Sequence, residues 1–162
     1  MRERGWIREW RSRDSVRVVD SWNKDNGPRM DANTRELGTA DNLNDLAEKV
    51  IGAAYEVANV LGAGFLEEVY ERALTRELMM RGLRATAQAS FPATYKGQCI
   101  GDYVADLLVE DQLIVELKCV DRFASEHMAQ CINYLTASGI KLALLINFQK
   151  PRIEWKRIVY GA

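Results

Sequence analysis

Residues 142–148 read Leu-Ala-Leu-Leu-Ile-Asn-Phe, and this apolar run constrains the fold more than any other stretch of the chain. Such continuity is expected of a strand buried on both faces. A sheet with that strand inside it needs helices packed on it, which makes the chain an α/β or α+β domain. At 162 residues the chain suits one domain large enough to bury a core without a disulfide or metal staple.

The flanking segments supply the other elements. Leu46, Val50, Ala53, Val57 and Val60 recur at helical spacing, with Asp41 or Asn44 as a candidate cap and Gly62-Ala63-Gly64 as the stop. A second helix is expected from Leu66 to Met80, with Leu66, Val69, Ala73 and Leu78 as its core face and Arg81-Gly82 closing it. Strands follow at Gln88–Tyr95, Ile100–Glu110 and Leu113–Cys119, and Pro92 suggests an edge position for the first. A helix over Ser125–Ala137 with Ser125 as its cap, the strand at 142–148 and a final strand over Arg152–Tyr160 complete the order ααβββαβ(β).

Residues 1–40 differ from this pattern. They hold nine Lys/Arg against seven Asp/Glu, leaving thirteen against sixteen for the rest. Apart from Trp6, Ile7, Trp10 and the Val16–Val19 patch, little in them is suited to packing. We read 1–40 as a disordered or loosely attached arm and 41–162 as the domain. A translation start at Met30, with the first 29 residues a gene-model extension, is a further reading.

Composition removes several functions. A net charge of −1 does not fit a polybasic coat for nucleic acid or a membrane surface. One histidine, His127, and three cysteines without CxxC spacing exclude a histidine-centred nuclease and argue against structural zinc. Scattered cysteines fit a reducing compartment, and the arm lacks the apolar segment of a secretory signal, so the cytoplasm is expected. No run of about 18 apolar residues exists to span a membrane.

Chemistry is concentrated in the hairpin. With a three-residue loop at Glu110-Asp111-Gln112, Val109 faces Leu113 and Asp106 faces Glu116. Glu116 and Lys118 share a strand face, while Leu113, Val115 and Leu117 point to the core. Two opposed carboxylates repel, and a bridging divalent cation removes that penalty. Oxygen donors favour Mg²⁺ or Mn²⁺, with the Leu117 carbonyl as an added ligand. A metal-bound water is then the nucleophile for a phosphodiester, and Lys118 holds or deprotonates it and offsets phosphate charge. Asp102, about 13 Å along the strand from Asp106, is too far to share the ion.

Asp106 followed by Glu116-Leu117-Lys118 resembles the PD-(D/E)XK nuclease superfamily, with Ala105 where the label has proline. Gly64-Phe65-Leu66-Glu67-Glu68-Val69-Tyr70 resembles the GxxExxY pattern of one of its small-protein families, and Gln130-Cys131-Ile132-Asn133-Tyr134 the QxxxY element of its RecB-like branch. The resemblance runs from about Asn44 to Tyr160. It implies a restriction-endonuclease-like core, a mixed sheet flanked by helices, and a metal-dependent nuclease acting on DNA or RNA. It also implies roles: Asp106 and Glu116 as metal ligands, Glu67 as a further metal or water contact, Lys118 as the catalytic lysine, and Gln130 as the glutamine steadying site or substrate, with Tyr134 beside it. His127, three residues before Gln130, is placed to touch phosphate or a metal-bound water. Taken alone, Glu67 reads as part of a solvated acidic run, Tyr70 and Tyr134 as packing residues, and His127 as a structural hydrogen bonder.

Few basic residues remain to grip a polyanion. Arg72, Arg76, Arg81, Arg84 and Lys96 are the candidates, and a homodimer would pool them. That scarcity motivates the alternative, a catalytically silent nuclease-fold module for binding nucleic acid or protein.

Overall fold

A computed structural model describes residues 16–19 and 37–161. In chain order the elements are β1 (Val16–Val19), α1 (Leu37–Leu61), α2 (Glu67–Met80), β2 (Ala85–Tyr95), β3 (Gln98–Val109), β4 (Leu113–Lys118), α3 (Ser125–Ser138), β5 (Leu142–Asn147) and β6 (Glu154–Tyr160). The six strands form one sheet in the order β1-β6-β5-β4-β3-β2. β4 and β5 run parallel, and every other pairing is antiparallel. From α1 onward this is the expected α/β order, a mixed sheet between helices of the restriction-endonuclease-like kind. β1, which lies within the segment read as an arm, adds a strand against β6; the rest of 1–36 lies outside the described residues.

The strand at 142–147 is buried at every position, as its composition requires. Its two faces meet different layers. Leu142, Leu144 and Ile146 join Leu113, Val115 and Leu117 of β4 under Leu46, Val50, Val57, Leu74 and Leu78 of α1 and α2. Ala143 and Leu145 join Ile114, Ile158 and the Cys131, Tyr134 and Leu135 side chains of α3. Each fully buried leucine contributes about 1.5–3 kcal/mol, so this three-layer core dominates stability. Because β4 and β5 are parallel, a crossover must carry the chain back, and α3 is that crossover. β4, which bears Glu116 and Lys118, is therefore clamped between β3 and β5 in mid-sheet.

Several local expectations are corrected. α1 begins at Leu37, so Asp41 and Asn44 lie inside the helix and do not cap it; Asn44 instead accepts a hydrogen bond from the Arg157 guanidinium. The core face of α2 is Tyr70, Leu74 and Leu78, while Leu66 is 71% exposed at the helix entry. Ala124, not Ser125, caps α3; its N–H donates to Nδ1 of His127 at 3.0 Å. Pro92 does sit on the outermost strand, where a residue without an N–H is tolerated. Among the described residues, no helix is long and apolar enough to cross a membrane.

Candidate active site

The hairpin joining β3 and β4 pairs Val109 with Leu113, Leu108 with Ile114 and Leu107 with Val115, the register counted from the sequence. Its turn is closed by the Gln112 N–H on the Val109 carbonyl at 3.0 Å. Arg84 pins that turn, donating to Asp111 at 2.9 Å, so its charge is engaged in structure.

The ladder between β3 and β4 stops at Leu107. One residue further, the Leu117 N–H is taken by the Asp106 carboxylate, with Oδ2 at 2.7 Å. A side chain thus replaces the backbone acceptor that a continued strand would supply, and the two strands part around it. The pleat breaks at the same place. Leu107 and Val109 pack toward α1 and α2, but Ala105 packs toward α3, although a regular strand would keep all three on one face. On the other side of β3, Ala87 pairs with Leu107 and Ala89 with Ala105, which sets Gln88 opposite Asp106. Gln88 has φ +53°, a left-handed conformation inside a strand. Such a conformation costs about 1–3 kcal/mol in a residue with a side chain.

Glu116 lies beside this gap. It is 3% exposed, and its Oε1 accepts from Lys118 Nζ at 3.0 Å. Its Oε2 is buried without a hydrogen-bond partner. Burial first, and then the Asp106 carboxylate, push the Glu116 carboxyl from 4.5 up to about 7, against the pull of Lys118. Asp106 is itself raised, chiefly by burial. For Lys118, burial acts downward most strongly, but the bond to Glu116 and the charges of Glu116, Glu67 and Asp106 together raise it.

Glu67 reaches this face from the first turn of α2. The loop before it turns through Gly62 and Gly64, at φ +75° and +104°, and Tyr70 ties it down. The Tyr70 hydroxyl donates to the Gly62 carbonyl at 2.6 Å and accepts from the Phe65 N–H at 3.3 Å, and its ring stacks on Phe148. Tyr70 is the packing residue with a satisfied hydroxyl that its type suggested. Burial raises the Glu67 pKa, with Lys118 opposing, Asp106 adding to the rise and the Cys119 amide just beyond β4 lowering it. Cys119 is half-buried against the core.

From the opposite side α3 presents Gln130 and Tyr134, one turn apart, with Gln130 Nε2 donating to the Tyr134 hydroxyl at 2.6 Å. Burial, then the negative charges of Glu116 and Asp106, raise the Tyr134 phenol, and its ring meets Tyr103 edge to face. Gln130 and Tyr134 also line an open groove of about 510 Å³ with Asp102, Tyr103, Glu126 and Asn133. His127 uses Nδ1 to close the start of α3, as a structural hydrogen bonder would. Arg72 is exposed on α2, and its charge lowers the pKa of neighbouring Glu71.

Two residues were missed by sequence reasoning. Glu71, one turn after Glu67, has its pKa raised first by burial and then by Asp106, and it accepts from Gln88 Nε2 at 2.8 Å. Its helical spacing from Glu67 was a usable signal. Gln88 gave none.

The donor set fits a hard dication. Glu116 carries a buried, partnerless oxygen, and Asp106 lies beside it. The Lys118 carbonyl accepts from Phe148 on the β5 side, so the Leu117 carbonyl faces the β3 side where Asp106 sits. Among the described residues, no three His, Cys, Asp or Glu side chains form a ready-made cage. Two carboxylates and a carbonyl still suit Mg²⁺, which keeps several waters and needs few protein ligands.

A sequence model of the PD-(D/E)XK nuclease superfamily matches residues 44–158. Among solved structures, the crystal structure of an alkaline exonuclease (LHK-Exo) from Laribacter hongkongensis is similar, with a TM-score of 0.41 and 14% identity over 67% of this chain and 76% of that one. No curated protein matches the chain.

Proposed function

The chain belongs to the PD-(D/E)XK nuclease superfamily, and from that premise we propose that it hydrolyses phosphodiester bonds of DNA or RNA with the help of Mg²⁺ or Mn²⁺. We assign it to the GxxExxY group of the RecB-like branch, on Gly64, Glu67 and Tyr70 around the turn into α2 and on Gln130 and Tyr134 of α3. The observation that carries the reading is Glu116: a buried carboxylate with a partnerless oxygen, set between Asp106 and a paired lysine. Such an arrangement destabilises the bare fold, and a bound dication accounts for it.

In this reading Asp106, Glu116 and the Leu117 carbonyl hold the cation, and Glu67 adds a contact from α2. When bound, the dication supplies positive charge against the charge developing on phosphate and makes a coordinated water more acidic. The chain's own residues do the rest. Leu117 N–H fixes the rotamer of Asp106. The Lys118 ammonium, kept protonated by its acidic neighbours, stabilises the anionic transition state. Gln130 and Tyr134 brace the side facing α3, and Arg72 on the exposed face of α2 meets the substrate backbone. His127, with Nδ1 occupied, presents Nε2–H as a donor to phosphate. Unpaired Cys99, Cys119 and Cys131 suit work in a reducing cytoplasm.

The test is cleavage of plasmid, single-stranded DNA and RNA with Mg²⁺ or Mn²⁺ by wild type, Asp106→Ala and Lys118→Ala. Metal-dependent cleavage lost in both variants supports the reading; equal activity in all three proteins refutes it. Metal-independent binding without cleavage would assign the chain to the silent-module class instead.

A further inference from the structure

Resting on the metal-dependent reading above, we propose that Gln88 is a positioning residue of the metal-binding face, its amide bridging the carboxylates of Asp106 and Glu71 so that Asp106 is held across the gap to β4.

Three independent features converge on it. Gln88 stands opposite Asp106 in the β2–β3 register, and its rung is the one missing between the Ala87–Leu107 and Ala89–Ala105 pairs. Its backbone is left-handed in mid-strand. The other non-glycine residues with positive φ among the described residues, Lys96, Glu110 and Asp111, sit in hairpin turns, which explain them. No turn explains Gln88, and strain of this kind persists only where the surroundings hold it. Lastly, its Nε2 donates to Glu71 Oε2 at 2.8 Å, and its amide is near enough to the Asp106 carboxyl to hold that pKa down against burial.

The chemistry explains why the residue is an amide. One NH₂ group carries two protons, enough to serve two carboxylates at once. It adds no charge, so it orients Asp106 without competing with a cation for it, as a lysine or arginine there would. Asp106 is thereby gripped from both neighbouring strands, by the Gln88 amide on β2 and by the Leu117 N–H on β4. An outer partner of this sort fixes ligand geometry, and its loss commonly weakens metal binding 10-fold or more.

Calorimetric titration of Mn²⁺ into the metal-free protein, without substrate, tests this with Gln88→Gly, Gln88→Ala and Gln88→Lys. We expect Gln88→Gly to bind Mn²⁺ about 10-fold more weakly than wild type. Its melting temperature in chelator should equal or exceed that of wild type, because glycine accepts φ +53° without strain. Gln88→Ala should show the same weakening without the relief of strain, and Gln88→Lys a larger one. In cleavage assays the Mn²⁺ concentration for half-maximal rate should rise while the rate at saturating Mn²⁺ stays within about threefold, a split that general unfolding would not give. Unchanged Mn²⁺ affinity in Gln88→Gly and Gln88→Ala overturns the proposal while leaving the nuclease reading standing. Failure of the wild type to take up Mn²⁺ overturns both.

Discussion

Glu116→Gln should stabilise the metal-free protein at alkaline pH while abolishing its activity. Burial and the nearby Asp106 carboxylate raise the Glu116 carboxyl from 4.5 to about 7. A carboxyl raised in the folded state contributes stability that is complete below its unfolded pKa and is lost as pH climbs through the folded one. Each pH unit between the two values is worth ~1.4 kcal/mol, so the span from 4.5 to about 7 amounts to about 3 kcal/mol, all of it felt by about pH 8. In a domain of this size that corresponds to roughly 6–12 °C in Tm. Glutamine cannot ionise and escapes the loss. It also exchanges the ion pair with Lys118 for a neutral hydrogen bond, so about 3 kcal/mol is an upper bound. At about pH 5 the wild-type side chain is already neutral when folded, and the advantage of the variant shrinks below about 1 kcal/mol. Thermal and urea denaturation in chelator at the two pH values would measure the difference. Added Mg²⁺ should stabilise the wild type at the higher pH and leave the variant unmoved. An equal shift at both pH values would mean a packing effect; no shift at about pH 8 would mean that Glu116 carries no buried-charge penalty, and the reasoning would fail.

Asn147→Ala should cost about 2–4 kcal/mol in urea denaturation. Asn147 is buried, accepts from the Val120 and Gln149 N–H groups and donates to the Val120 carbonyl, and buried groups left unpaired cost about 1–3 kcal/mol each; a loss below about 0.5 kcal/mol would contradict this. Tyr70→Phe should lower stability by about 1 kcal/mol by releasing the Gly62 carbonyl. It should also lower cleavage through Glu67, by less than Asp106→Ala does; full activity would detach Glu67 from the chemistry. Iodoacetamide on the native protein, read by mass spectrometry, should modify exposed Cys99 and spare Cys131, whose thiol is buried and pushed up by that burial. Native labelling of Cys131 would contradict the burial of α3 against the sheet.

Where one interaction dominated, the sequence was readable. The run at 142–147 could only be an interior strand, and a three-residue loop was enough to fix Val109 against Leu113. Glu116 and Lys118 were separable from Leu113, Val115 and Leu117 by alternation alone. The break in that alternation at Asp106 was not legible, because it arises when a carboxylate outcompetes a backbone carbonyl for the Leu117 N–H, a tertiary event with no local signature. The left-handed Gln88 belongs to the same event. On α2 the apolar residues occupy more than one face, so spacing favoured Leu66 and Val69 over Tyr70 and Leu74, and only packing decided. The start of α1 was hidden by Gly38, Thr39 and Asp41, poor helix formers that the helix tolerates nonetheless.

Val16–Val19 runs beside β6 through four residue pairs, from Val16 with Tyr160 to Val19 with Arg157. Without that border, the rim of β6 would present unsatisfied amides and carbonyls to any passing strand. With it in place the margin of the sheet falls on a strand of four residues, too short a ladder to recruit a neighbour readily.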